Sequence, residues 1–225
     1  MKKIKINEID IFFTKRKKQK NICLKINQRG DIILSAPYFC TQSIALDFVQ
    51  KNIEWIKEHQ TQNTPQTKFN PNDSISILGK TYLINHNPQQ KTGIQIDNNT
   101  LVVGGEVNFI HRRISNFAKK ELLTYINQKA NQMALKIQKK PSRISLKNTI
   151  SRWGSCSSKQ NLNFCWKIAF APLFVIDYLI AHEVSHLKEM NHSNDFWKTV
   201  SLFQVDQAKA QIWLRKNGKD LMNIQ

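Results

Sequence analysis

The segment His182-Glu183-Val184-Ser185-His186 concentrates the residue types of metal-assisted hydrolysis. At about 3.6 residues per helical turn, His182 and His186 fall one turn apart on one face, where two imidazoles reach a single ion. Glu183 lies roughly 100° round the helix from His182. It can flank the ion's open position without ligating it, where a general base is needed. The opposite face carries Ile176, Ile180, Val184 and Leu187, a stripe that buries the helix and turns the histidines toward a cleft.

Two histidines give two donors, whereas a catalytic zinc is held by three protein ligands and keeps a further position for water. Glu189, His192 and Asp195 are the candidates within reach. His192 lies beyond an expected helix end at Met190-Asn191, where Asn191 takes the left-handed turn and the chain reverses. A neutral imidazole there leaves the site at about +2, which acidifies water more than a carboxylate ligand would. The expected site is one Zn2+ per chain on His182, His186 and His192, with Glu183 as catalytic base.

Arg152 is the other candidate catalytic residue, on a strand before the metal helix, holding an anionic substrate group or polarising a carbonyl. Its alternative is an ordinary surface salt bridge. Cys156 and Cys165 read as small buried hydrophobes facing each other across a hairpin. Asp177 and Asp195 read as helix-start acids, with support of a ligand imidazole as the alternative. Tyr178 reads as core. Phe196 and Trp197 read as packing that anchors the His192 loop.

The elements that position these residues follow from periodicity and punctuation. Residues 3–13, 21–26 and 32–36 read as strands, with Gln28-Arg29-Gly30-Asp31 as a hairpin turn. Thr41 caps a helix to about His59, and residues 60–74 form a polar linker with two prolines. Strands come next at 75–78, 80–84, 94–96 and 101–103. Residues 106–139 read as one long or broken helix ended by Pro141. Segments 144–155 and 162–171 form a hairpin, Pro172 opens the metal helix, and two helices (195–203 and 206–216) end the chain with Gly218 as the stop. The sum is an α+β protein, a β-rich front and a helical back with one hairpin.

The 225 residues carry a net charge of +18, concentrated in residues 1–30 and 101–225. Such a surplus favours polyanions and predicts nonspecific nucleic-acid affinity, with the run Lys15-Arg16-Lys17-Lys18-Gln19-Lys20 as one patch. Most of the basic residues are Lys, which argues against sequence-specific readout by Arg forks. No apolar run approaches the roughly 20 residues of a membrane span. The N-terminus alternates charge with apolar residues, and the four cysteines form no C-x-x-C. A cytoplasmic protein with reduced thiols is expected.

The string Ser151-Arg152-Trp153-Gly154-Ser155-Cys156-Ser157, then Asn163 to Trp166, Ala171-Pro172, Val175-Ile176-Asp177-Tyr178, His182-Glu183, Asn191-His192-Ser193 and Phe196-Trp197 resembles the YgjP-like family of metal-dependent hydrolases. That family stands with the SprT-like and WLM-like zincin metallopeptidases. A weaker likeness covers Trp55-Ile56 and Gly79-Lys80 with Tyr82. The resemblance implies a minimal zincin-like domain over 105–225 behind a basic β-rich region with one helix over 1–104. It also implies zinc on His182, His186 and His192, with Glu183 as base. Glu189 stands where metzincins have glycine, and no Met-turn comes after it, so that assignment is rejected. The zinc ribbon common in SprT-like proteins is missing.

The first functional expectation is a zinc-dependent metallopeptidase acting on a peptide or protein. Two alternatives stay open: a metal-dependent phosphoanhydride hydrolase acting on nucleotides, and a nucleic-acid-binding protein with a relict metal site.

Overall fold

The computed structural model describes residues 2–6, 9–26, 31–60, 67–91 and 93–224. The chain divides into two compact units, Met1–Pro65 and Gln66–Gln225.

In the first unit β1 (Lys2–Ile6), β2 (Ile9–Arg16), β3 (Cys23–Ile26) and β4 (Ile32–Pro37) form a sheet ordered β1-β2-β4-β3. The weak alternation over 3–13 is therefore two antiparallel strands, with Ile4 opposite Ile11. The expected hairpin of β3 and β4 pairs Ile26 with Ile32, while residues 27–30 of its turn lie outside the described residues. The central pair, β2 and β4, is parallel. Every second residue of β2 points inward, so Ile11 and Phe13 join Ile32, Leu34, Val49 and Ile56 in a core. The Thr41 hydroxyl accepts from the Ile44 N–H and opens α1 (Gln42–Lys51). The helix expected to run to His59 is broken at Asn52, whose side chain donates to the Phe48 carbonyl at 2.7 Å. Beyond the break the chain resumes as α2 (Ile53–Gln60).

The second unit opens with β5 (Ser74–Ile77), β6 (Lys80–Asn87), β7 (Gly93–Asp97) and β8 (Thr100–Gly104), ordered β5-β6-β8-β7 with β6 and β8 parallel. The first sheet's topology recurs here without a visible sequence repeat. This sheet packs with the helical region C-terminal to it, so the division falls near residue 65 and not at 104. The reason is burial: Ile77, Tyr82, Ile84, Leu101 and Val103 share one core with Ile110, Ile114 and Ala169, and the Leu78 N–H donates to the Ala169 carbonyl.

α3 (Ile110–Lys136) is a single helix ended by a left-handed Gln138, before Pro141 is reached. The expected first hairpin strand is two strands. β9 (Arg143–Lys147) runs parallel to β11 (Asn161–Cys165), and β10 (Gly154–Cys156) pairs antiparallel on the other side of β11. Residues 148–153 cross between them, held by the Thr149 hydroxyl on the Arg152 carbonyl and the Trp166 indole on the Asn148 side chain. α4 (Leu173–Ser185), α5 (Asn194–Ser201) and α6 (Gln207–Met222) complete the unit. Gly218 is not a stop; it lies inside α6, where an added Cβ would come within 3.2 Å of the Trp153 ring. Among the described residues no helix is long and apolar enough to cross a membrane.

Candidate metal centre

α4 is buried along Val175, Ile176, Ile180 and Val184, which fixes its rotation and leaves His182 and His186 on the other side. The helix stops at Ser185, five residues before the expected end. Leu187, Lys188 and Glu189 then make a tight turn, with the Glu189 N–H on the Ser185 carbonyl at 2.9 Å. Asn191 has no left-handed backbone, so this turn performs the reversal assigned to it. Ser193 caps α5, its hydroxyl accepting from the Phe196 N–H, and the short connection carries His192 back over the end of α4.

The reversal brings three imidazoles together. The Nε2 atoms of His182 and His192 stand 3.1 Å apart, and His182, His186 and His192 each offer a nitrogen within 4.8 Å of the others. The ring centroids of His182, His186 and His192 lie 5.0, 4.6 and 4.8 Å from that of Phe196, a fully buried ring that supports all three. Glu189 and Asp195 are not in the cluster. Glu189 contributes its backbone carbonyl, 3.0 Å from His186 Nδ1, while the Asp195 carboxylate pairs with Lys198 at 2.8 Å. Asp177 also sits elsewhere, accepting from Tyr125 at 2.6 Å and pairing with Lys129 at 3.3 Å. Among the described residues neither aspartate is hydrogen-bonded to an imidazole of the cluster.

Burial, with His186 and His192 nearby, pushes His182 down to about 4. Burial also lowers His186, assisted by His192 and opposed by the Glu189 carbonyl. Both rings are neutral near pH 7 and keep a lone pair. His186 donates Nδ1–H to the Glu189 carbonyl, which leaves Nε2 as the free donor. His182 Nδ1 is buried with no hydrogen-bond partner among the described residues. Two nitrogens on one tetrahedral zinc at about 2.0–2.1 Å stand roughly 3.3 Å apart. The observed 3.1 Å, the neutral rings and the all-nitrogen donor set fit a divalent transition metal.

Glu183 is buried, 5% exposed, against the backbone of β10. A Cβ on Gly154 would lie 2.6 Å from its Cγ and 2.7 Å from its Cδ, so only glycine fits beside it. Burial raises the Glu183 carboxyl to about 8, and the Arg152 guanidinium works against that rise. Cys156 is half-buried, its thiol pushed up to about 11 by burial and by Glu183. It pairs with Leu162 across the sheet and does not face Cys165.

A cleft of about 480 Å³ opens on the site, lined by Trp153, Gly154, Tyr178, His182, Glu183 and Arg215. Tyr178, expected in the core, is buried but lines this cleft, its hydroxyl accepting from Gln211 at 3.0 Å. A second cavity of about 370 Å³ holds Lys147, Asn148, Arg152 and Asn163, and it too reaches Gly154. Arg152 is exposed at this second cavity and acts on Glu183 through its charge. Gln211 and Arg215 were not singled out from the sequence, and Gly154 stood there only within the string that carries the resemblance. A glycine inside a strand does signal close approach of another group. Gln211 and Arg215, one turn apart on a distant helix, carry no local signal.

A buried carboxylate and His182 on the cleft wall, with two further imidazoles converging on His182, are the groups that metal-dependent hydrolysis uses. The chain belongs to the YgjP-like metallopeptidase family, whose domain matches residues 20–217. That family implies a divalent metal and supports hydrolase chemistry of the peptidase kind. Comparison with curated proteins and with solved structures gave no match.

Proposed function

We propose that this protein is a zinc-dependent peptide-bond hydrolase in which His182, His186 and His192 hold the metal and Glu183 is the general base. The observation that carries the reading is the convergence of three imidazole nitrogens beside a buried carboxylate. When bound, zinc supplies Lewis-acid polarisation and makes water a stronger acid near neutral pH. Glu183 takes the proton of the attacking water and passes it to the leaving amine. Burial raises its proton affinity, while the Arg152 guanidinium and a bound divalent cation would favour the ionised form that accepts a proton, and Gly154 fixes its carboxylate by leaving it no other space. The Glu189 carbonyl holds the His186 tautomer. Arg152 and Arg215, one at each cavity, receive anionic substrate groups.

Those two arginines also favour a second reading, hydrolysis of a phosphoanhydride in a nucleotide, because guanidinium forks match phosphate oxygens. The test is metal analysis of the purified protein coupled to a turnover screen of peptides and nucleoside triphosphates. Peptide turnover that disappears on chelation and returns with zinc supports the first reading. Metal-dependent turnover confined to nucleotides moves the substrate to the second, and stoichiometric zinc with no turnover of either overturns both.

A further inference from the structure

Within the first unit, β2 and β4 are parallel and in register, Lys15 beside Ala36 and Arg16 beside Pro37, so both strands finish at the same end of the sheet. Each then enters a tight turn. The Gln19 N–H closes one on the Arg16 carbonyl, and the Cys40 N–H closes the other on the Pro37 carbonyl. The Gln19 side chain ties the first turn to β4, donating to the backbone carbonyl of Ser35 at 2.9 Å. One turn presents Lys17 and Lys18, flanked by Lys15, Arg16 and Lys20, all exposed. None of these five has a carboxylate partner among the described residues, where Asp10 is paired with Lys3 and Asp47 with Lys51. The other turn presents Tyr38 and Phe39, 65% and 83% exposed. Beside them, Ile22, Phe39, Ile44 and Phe48 line an apolar pocket of about 420 Å³, with Lys20 and Asn21 at its polar edge.

We propose that this end of the N-terminal sheet binds single-stranded nucleic acid, the Lys15–Lys20 turn taking phosphates while Tyr38, Phe39 and the adjoining pocket take unstacked bases. An unpaired cation cluster is complementary to a polyanion and releases counterions on binding. Exposed aromatic rings beside such a cluster make a stacking platform that a duplex, whose bases are already stacked, cannot use. The pocket beside them is rimmed by Lys20 and Asn21, polar groups that suit a flat ring with polar edges.

The test is fluorescence anisotropy of the full chain with labelled oligo(dT), with a duplex of equal length, and co-sedimentation with phosphatidylcholine–phosphatidylserine vesicles. Oligo(dT) is expected to bind more tightly than the duplex. The exposed double variant Tyr38→Ala/Phe39→Ala is expected to lose roughly tenfold or more in oligo(dT) affinity with unchanged duplex binding and metal content. Lys17→Gln/Lys18→Gln is expected to reduce the slope of log affinity against log salt by about 1.4. Equal affinity for both nucleic acids, or an aromatic variant that binds oligo(dT) like wild type, overturns the proposal. So does an aromatic effect seen on vesicles alone, which would make the patch a membrane contact.

Discussion

Glu183 projects from α4, the helix that carries His182, against the backbone of Gly154, so its position is set by steric exclusion as much as by any bond. Glu183→Gln is expected to keep the metal and lower turnover by about two or more orders of magnitude. Loss of zinc in that variant would make Glu183 a ligand. Gly154→Ala puts a methyl group into the space of the Glu183 side chain. It is expected to retain zinc while turnover falls on the order of a hundredfold, the cost of a displacement of about 1 Å at a reacting group. Turnover like wild type would show that the carboxylate has room to move. The third donor is tested by zinc titration of His192→Ala against Asp195→Ala. The first is expected to lose affinity sharply. The second is expected to lose little, because Asp195 is engaged with Lys198 at the surface. That His182 and His186 share a face was legible in the sequence, because a spacing of four residues is about one helical turn. His192 was legible only as one of three candidates, since the geometry of a turn is not written in periodicity.

α4 is held in register by its neighbours as well as by its own apolar stripe. Tyr125 of α3 donates to Asp177 of α4 at 2.6 Å, and Lys129 reaches the same carboxylate. Burial and that hydrogen bond together raise the Tyr125 hydroxyl well above its ordinary range, so it stays protonated and donating throughout the working pH range. Tyr125→Phe removes a bond to a charged acceptor. It is expected to cost about 1.5–3 kcal/mol in urea unfolding, with an unchanged m-value. A change below about 0.5 kcal/mol would show that α3 and α4 are held by apolar packing alone. Element identity was readable from hydrophobic period and caps, as with Thr41, whose side chain accepts from the Ile44 N–H. Element ends were not. Gly218 carries the signature of a helix stop, yet the Trp153 ring occupies the space where a side chain would project, and the helix continues. Strand 144–155 had to split because β9 and β10 bond opposite edges of β11, a choice made by sheet topology and invisible to local pattern.

At the scale of the molecule, the net charge of +18 and the candidate metal centre are separate features. The densest cation run lies in the first unit, whereas the three imidazoles and Glu183 lie in the second. The sequence turns mainly helical near residue 105, but the contacts divide near residue 65, because the second sheet needs α3 to cover its apolar face. A boundary set by which surfaces bury each other depends on contacts distant in sequence. The central claim is that the second unit holds a catalytic metal on its histidines. It is tested most directly by metal content measured on wild type and His186→Ala purified side by side. About one equivalent of zinc is expected in wild type, removed together with activity by chelation, and a sharply lower content in the variant. Equal zinc in the two proteins would contradict the ligand set and the mechanism built on it.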